Sequence, residues 1–534
     1  MKKIAEILVR SGLVLAKAKR KVYNIAVMDT QDTYVEKNTT DQAEAAAAER
    51  EKKQFVKMTQ TSIPRLIISL GIPTMLSMMV TSLYNLADTF FVSLLKIDAI
   101  TAAASNLLAL MSIIQAIGFT FGMGSGSIVS RLLGKRDREG ADRVTSSSFF
   151  IGVVCGSLIM IFGLIFLTPL MKLLGSRQAD VLMYSKQYGL YILLAAPFMC
   201  ASFVMNNVLR AEGKAVLSMI GLVTGALVNV ALDPILIFVA DMGITGAAVA
   251  TFASQVLSFG ILLIMFLSGK TVVRLRFRAI SWKFSTYYEV IATGFPSFCR
   301  QALASLCTVF LNNAAATYGN LAFENGGNAA QTALGVVQKV FMVAFSISLG
   351  IGQGYQPVLG YNYSAKRFDR VRSAYLFTLA FSTGLMMIFA IVCAIFAPQI
   401  VGVFTDTPET VEIGQFTLRM QCITMALLPT NFMAGLTYQV VGNKALAALL
   451  SISRQGLFYI PAVLILPKLI QLRGVECCQA ISDGFAFVFA LPFTFLFFRT
   501  LKLEQAKADA ESASEQENLL SAPEKLPAEE NISE

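Results

Sequence analysis

The fold expected of this chain is an all-α polytopic membrane protein, with twelve transmembrane helices in two six-helix bundles related by a pseudo-two-fold axis along the membrane normal. Three observations predict it. The 534 residues are 55% hydrophobic and only 15% charged, with a mean hydropathy of +0.62, which excludes an ordinary soluble domain and excludes disorder over most of the length. From Ile63 to about Thr500, apolar runs of roughly 20 to 30 residues alternate with short polar breaks, and each run can cross a hydrocarbon core of about 30 Å as a helix. Matched landmarks recur roughly 220 to 230 residues apart, the mark of an internal repeat.

The twelve spans are expected at about 64–93, 102–132, 144–168, 181–209, 215–240, 244–269, 288–318, 328–359, 372–397, 412–440, 445–468 and 475–499. Lys and Arg set their orientation, because short cytoplasmic loops carry an excess of both. The even loops hold Arg131, Lys135, Arg136, Arg138 and Arg143, then Arg210 and Lys214, then Lys270, Arg274, Arg276, Arg278 and Lys283. Further on they hold Lys366, Arg367, Arg370 and Arg372, and finally Lys444. The odd loops hold only Lys96, Lys172, Arg177, Lys468 and Arg473. The even loops and both termini are therefore expected in the cytoplasm, and the protein in the cell membrane.

The chain divides into a basic and charged cytoplasmic extension at 1–60, a first bundle at 61–275, a second at 276–502, and an acidic tail at 503–534 expected to be disordered. Lys2, Lys3, Arg10, Lys17, Lys19, Arg20 and Lys21 mark the extension, where Glu6 and Arg10 break any signal-peptide core.

Composition also excludes function classes. There is no histidine, so His-based metal sites and Ser/His/Asp or Cys/His catalysis are absent and no catalytic residue is assigned. The eight cysteines contain no C-x-x-C and read as small packing residues within apolar segments. The formal charge of +10 is explained by topology, so no nucleic-acid partner is expected.

In the repeat, Gly71-Ile-Pro73 answers to Gly294-Phe-Pro296, Gly122-Met-Gly124-Ser-Gly126 to Gly350-Ile-Gly352-Gln-Gly354, and Gly213-Lys214-Ala215 to Asn443-Lys444-Ala445; Pro197 is placed like Pro429. Basic loops at matching places keep both halves in one orientation, a transporter plan in which sites form around the interface of the halves. The glycines are read as ridges for close helix packing, not as a dinucleotide or phosphate loop.

Three carboxylates fall clearly inside spans: Asp88, Asp233 and Asp483. A charge at such depth is costly and points to a functional site. Asp88 stands in Ser82-Leu-Tyr84-Asn85-Leu-Ala-Asp88-Thr89-Phe-Phe-Val92, in the outer third of the first span. Asp233 lies about 18 residues along the fifth span, roughly 27 Å at 1.5 Å per residue, and so belongs to the same outer half. Asn229 shares a helix face with Asp233 four residues on, and Thr251 falls at similar depth on the sixth span. Together they form a hard-oxygen set suited to a small cation or to a shared proton. The second half has no acidic counterpart, since Leu311, Asn312 and Val463 hold the matching positions. Pro234 is expected to disturb the helix beside Asp233. Asp483, next to Gly484, suits either a site or a helix irregularity, and Arg300 and Arg454 are expected to snorkel or to bond carbonyls at helix breaks.

These motifs, with Ser130-Arg-Leu-Leu-Gly134, Asn229-Val-Ala-Leu-Asp233-Pro234, Phe295-Pro-Ser-Phe-Cys-Arg300-Gln301, Gly352-Gln-Gly-Tyr-Gln-Pro357 through Lys366-Arg367, and Arg454-Gln455-Gly-Leu-Phe-Tyr-Ile-Pro461, resemble the multidrug and toxic compound extrusion (MATE) family, within it the prokaryotic MepA/DinF-like branch. The similarity runs from about Ile63 to Arg499. Ser93-Leu94 and Ser364 stand where the family usually has glycine, and the leader is longer than usual. The resemblance implies a non-enzymatic monomeric exporter of small amphipathic, often cationic, compounds, driven by inward H+ or Na+ and needing no other cofactor. Asp88, Asn229, Asp233 and Thr251 match the cation-coupling site, and would be metal ligands if Na+ is the ion. Tyr84 and Asn206 match positions near the substrate path, and Pro234, Arg300, Gln353, Arg454 and Asp483 are candidates for structural or gating roles. The rival readings are a flippase for a lipid-linked precursor, and, further off, a membrane enzyme or a receptor.

Overall fold

The computed structural model describes residues 48–521 except 96, 323–325 and 406. The residues Lys2, Lys3, Arg10, Lys17, Lys19, Arg20 and Lys21 that mark the extension, and residues 522–534, lie outside the described residues. Two compact units separate, Met1–Gln54 and Phe55–Glu534. In the first, the described residues are helical and Glu49 pairs with Lys53 at 2.6 Å.

The second unit begins at Phe55, not after residue 60 as expected. Lys57 makes the segment look polar, yet Met58 is fully buried, Arg136 stacks on Phe55 at 4.3 Å, and Asn362 and Arg367 donate to the carbonyls of Met58 and Thr59 at 3.1 and 2.9 Å.

The first half consists of α1 (Ile63–Ser93), α2 (Asp98–Gly134), α3 (Arg138–Ile165), the short α4 (Leu167–Leu173), α5 (Ala179–Ala211), α6 (Ala215–Pro234) with a π turn at Ile235–Val239, and α7 (Gly243–Leu267). The second half repeats the order: α8 (Phe284–Ala322), α9 (Gly326–Ser364), α10 (Phe368–Ile395), the short α11 (Ala397–Gly402), α12 (Pro408–Met425) with α13 (Leu428–Val441), α14 (Lys444–Ile452) with a π turn at Ser453–Tyr459, and α15 (Ile460–Ser521).

Among the described residues, nine helical segments are long and apolar enough to span a membrane. One of them, Lys444–Glu511, holds two passes, because Ile470 and Gln471 leave helical geometry and turn the chain back. The polar, Arg-bearing α8, and α12 with α13 either side of the break before Pro429, complete the twelve. The chain is thus a multi-pass membrane protein. Beyond about Glu504 the structure corrects the expected disorder: helix continues to Ser521, and Lys366 bonds Glu511 at 2.6 Å. Ala, Glu, Lys and Gln are good helix formers, and a helix already running needs no new nucleus.

The repeat extends to backbone detail. α2 and α9 both end on a left-handed residue, Arg136 at φ 60° and Lys366 at φ 54°. In each, the next residue's N–H reaches back to the carbonyl of Leu132 or Asn362 at 2.9 Å, the six-to-one closure that ends helices. The halves meet by exchange of equivalent surfaces. α1 lies on α9, where Gly71 faces Ile351 and Gly354, and α8 lies on α2, where Gly294 faces the Thr120 carbonyl. A side chain at Gly350, Gly354 or Gly294 would strike backbone of the opposite half, in keeping with the packing reading of the glycine ridges. Ser82 and Ser346 share a 2.5 Å hydrogen bond, and Gln356 donates to Ser127 at 3.1 Å. Arg131, which the sequence places in a loop, ends α2 and donates to the Val441 carbonyl at 3.3 Å. These contacts run from the basic-loop end of the molecule as far as Ser82 and Ser346.

The linker between the halves is fastened to the first. Glu212 accepts from the Val272 and Val273 N–H groups at 2.9 and 3.1 Å, Asp142 from Arg274 at 2.8 Å, Ser146 from Arg276 at 3.1 Å and Ser147 from Ser281 at 2.9 Å. Burial pushes the Glu212 carboxyl above its ordinary value, against the opposing pull of Lys214 and the two N–H donors.

Candidate functional site

α1, α5, α6 and α7 bring their polar residues together in the half of the bundle remote from the basic loops. α6 carries Asn229 and Asp233 one turn apart on its buried face, both essentially without exposure. Asn229 Nδ2 lies 3.5 Å from Asp233 Oδ1 and 3.4 Å from Thr251 Oγ1, so the amide bridges α6 and α7. Asp88 reaches in from α1 near enough for its charge to act on Asp233. The expected quartet is therefore assembled as one cluster.

Asp88 Oδ1, Asn229 Oδ1 and Asp233 Oδ2 are buried and lack hydrogen-bond partners, and among the described residues no basic side chain forms an ion pair with either carboxylate. Three orphaned oxygens with the Thr251 hydroxyl suit a hard cation, and two adjacent acids suit a bound proton. No group of three or more His, Cys, Asp or Glu occurs among the described residues, so a transition-metal centre does not fit. A small cation held by two carboxylates, an amide and a hydroxyl does.

The sequence reading missed Tyr188. Its hydroxyl, fully buried on α5, donates to Asp88 Oδ2 at 3.1 Å and also lies within range of Thr251. A depth count along the fourth span, about nine residues in from Ala179 or roughly 14 Å, could have found it.

From Asn229 a cavity of about 80 Å³ runs between the helices toward the basic-loop end. Tyr84 and Asn206, the two expected path residues, both line it. Tyr84 lies within hydrogen-bonding range of Gln255, while Asn206 donates to the Ser218 carbonyl at 3.3 Å and accepts from the Ser218 hydroxyl at 2.7 Å. Arg210 closes the far end. The sequence assigns it to a cytoplasmic loop, but it is 2% exposed and its guanidinium donates to Gln353 of α9. Gln353, a gating candidate, is thus a buried link between the halves, and its amide also reaches Met123 Sδ at 3.8 Å.

Pro234 ends α6, but the helix widens into the π turn at Ile235–Val239 and does not break. Asp483 and Arg454 depart from expectation. The helix around Asp483 is regular, and Asp483 Oδ1 accepts from Arg454 Nε at 2.7 Å. Arg454 therefore does not snorkel, because a carboxylate is available inside the half. Arg300 stacks on Phe432 at 5.2 Å. These residues lie in the second half, apart from the acidic cluster.

The comparisons agree with this architecture. The family model described as MatE matches residues 73–235 and again 303–465, one copy for each half. A Staphylococcus aureus protein described as multidrug export protein MepA is 26% identical over 459 residues, covering 85% of this chain and 98% of that protein. The protein of that description from Staphylococcus saprophyticus is 24% identical over 458 residues, with the same coverage. A solved structure titled as the outward-facing conformation of a multidrug resistance MATE family transporter of the MOP superfamily superimposes with a TM-score of 0.79 at 26% identity, covering 84% of this chain and 98% of that one. Two matched repeats, similarity over 85% of this chain and a shared twelve-helix fold place it in the MatE family of membrane transporters.

Proposed function

We propose that this chain is a multidrug exporter that moves amphipathic, often cationic, compounds outward in exchange for inward H+ or Na+. The observation that carries the reading is the pair of carboxylates, Asp88 and Asp233, with buried orphaned oxygens and no basic partner among the described residues, beside Asn229, which lines one end of a cavity. An uncompensated acid pair in a membrane interior is costly and calls for a cation. The relatives' description as multidrug export proteins supports the cargo class.

In this reading Asp88, Asn229, Asp233 and Thr251 hold the coupling cation, Tyr188 fixes one oxygen of Asp88, and Tyr84 and Asn206 flank the path. Binding must favour one access state over the other, since a ligand of equal affinity for both shifts nothing. Cation entry offsets one of the two negative charges, relieves the repulsion between α1 and α6 and discharges the substrate. Arg210 with Gln353 holds the cytoplasmic side shut. The protein acts as a monomer in the cell membrane, with both termini in the cytoplasm.

The test is dye or fluoroquinolone efflux from reconstituted vesicles under imposed pH or Na+ gradients, with wild type, Asp88→Asn and Asp233→Asn. One gradient is expected to drive wild type and neither to drive the mutants. Mutants that transport as well as wild type under both gradients would sink the coupling site. A flippase for a lipid-linked precursor calls for several basic residues on the central space, whereas Arg210 is the one basic residue among those lining the first-half cavity, where it is bonded to Gln353, and Arg300 and Arg454 line a separate cavity among helices of the second half.

A further inference from the structure

The second half contains a polar cluster that the proposed coupling reaction does not use. The π turn at Ser453–Tyr459 presents Arg454 and Gln455 to the interior of the half, α8 supplies Arg300 and α13 supplies Asn431. Arg454 Nε and Gln479 Nε2 both donate to Asp483 Oδ1, at 2.7 and 2.8 Å. The Arg454 guanidinium stands 5.1 Å from the Phe341 ring and 5.9 Å from Phe345, and it is close enough to Arg300 for the two charges to repel.

The arithmetic of charge is unbalanced. Arg454 is paired with Asp483, while Arg300, half-buried beside it, has no carboxylate among the ion pairs of the described residues, so a net positive charge remains in a membrane-embedded half. Aromatic faces offset part of it, and a charge left without a counter-ion in such a setting is costly. The hydrogen bonds are unbalanced as well: Arg454 Nη2 is buried with no acceptor, and the Gln455 amide oxygen is buried with no donor. Both residues, with Arg300 and Asn431, line a cavity of about 20 Å³. That is room for one water-sized occupant. A water would satisfy the orphaned N–H but not the charge; a compact anion satisfies both, and a turn of the Gln455 amide presents its NH2 to the same place.

We propose that this cavity binds a compact anion between Arg300 and Arg454, either a free halide or the carboxylate end of a bound compound. The two halves then carry sites of opposite sign: an acidic one on α1, α6 and α7, and a basic one on α8, α13 and the π turn after α14. The inference does not depend on the coupling reaction or its direction.

The test uses the purified full-length protein at constant ionic strength in sodium gluconate, whose anion is too large for the cavity. Chloride, bromide or acetate is titrated in separately, with unfolding temperature as the readout, and crystals soaked in bromide are examined for anomalous scattering. A saturable rise with halide and a bromide peak between Arg300 and Arg454 are expected if the anion is free. A rise with acetate alone assigns the site to a carboxylate-bearing compound. Arg300→Gln is expected to weaken the midpoint at least about tenfold, the loss of one charge-assisted bond, and Arg300→Lys to restore most of it. If Arg300→Gln does not fold, the neutral pair Arg454→Gln with Asp483→Asn removes the second cation without stranding a charge. No anion-dependent rise in wild type, or the same rise in a folded charge-removing variant, overturns the site.

Discussion

Tyr188 donates to one oxygen of Asp88 at 3.1 Å and leaves the other buried and unpaired. The hydroxyl therefore fixes the rotamer of the carboxylate while its second oxygen stays free for a cation. Tyr188→Phe keeps the ring and removes only that constraint. A hydrogen bond to a charged group contributes about 1.5 to 3 kcal/mol, so efflux at a fixed gradient is expected to fall roughly tenfold or more. Unchanged efflux in Tyr188→Phe would remove this residue from the site.

Asp88 and Asp233 act on one cation in the proposed mechanism, so their losses should not add. The double variant Asp88→Asn with Asp233→Asn is expected to transport no worse than the poorer single variant, the non-additivity of groups working as a unit. Efflux rates for the four proteins check this. Two independent, multiplying losses would mean two separate sites.

Gln353→Ala strands the buried Arg210 guanidinium and cuts a link between the halves. The state closed at the basic-loop end should lose about 1.5 to 3 kcal/mol. Ser127→Cys, placed in a background without native cysteines, is expected to react faster with a thiol reagent applied from that side when Gln353→Ala is added.

Gly294→Val would drive a side chain into the Thr120 backbone of the opposite half, which cannot swing aside as a side chain can. A loss of about 1 to 3 kcal/mol is expected from overpacking. Gly335→Ala is the matched control: no atom lies within 4 Å of the added methyl, and the helix gains up to about 1 kcal/mol. Unfolding temperatures in detergent should move in opposite directions.

Glu212 gives a pH prediction. Burial raises its carboxyl above the ordinary 4.5, so the folded protein holds this proton more tightly than the unfolded chain. Its contribution to stability is present below 4.5 and fades as pH rises through the higher folded value. Glu212→Gln does not ionise and should remove that fraction of the pH dependence. The gap in unfolding temperature between variant and wild type, followed upward from pH 4.5, measures it, and a gap that does not change with pH would refute the linkage.

The residues legible in the sequence were those whose partners lie on the same or the next helix and whose chemistry is out of place there. Asp88 and Asp233 stood out as charges among apolar residues, Asn229 by its spacing of four, and Thr251 by depth. Tyr188 was hidden because tyrosine is unremarkable in such a span. Arg210 was misassigned because one more arginine near a basic loop looks topological; only the packing of α5 on α9 shows it to be inside. The partnership of Arg454 and Asp483 joins two spans either side of the expected break, which turns at Ile470 and Gln471; the sequence marks the break but not which faces of the two helices meet. Residues 504–521 are helical where disorder is expected, because charge and low hydropathy describe a solvated helix as well as a disordered segment.

The linker's fastening has a mechanical result. Ser281 is tied to α3 through its N–H, Trp282 packs edge-on against Phe150 of the same helix at 6.2 Å, and the Ser281 hydroxyl shares a 3.0 Å hydrogen bond with Thr286 in the first turn of α8. The second half is thus on a short leash, its own first turn held beside α3.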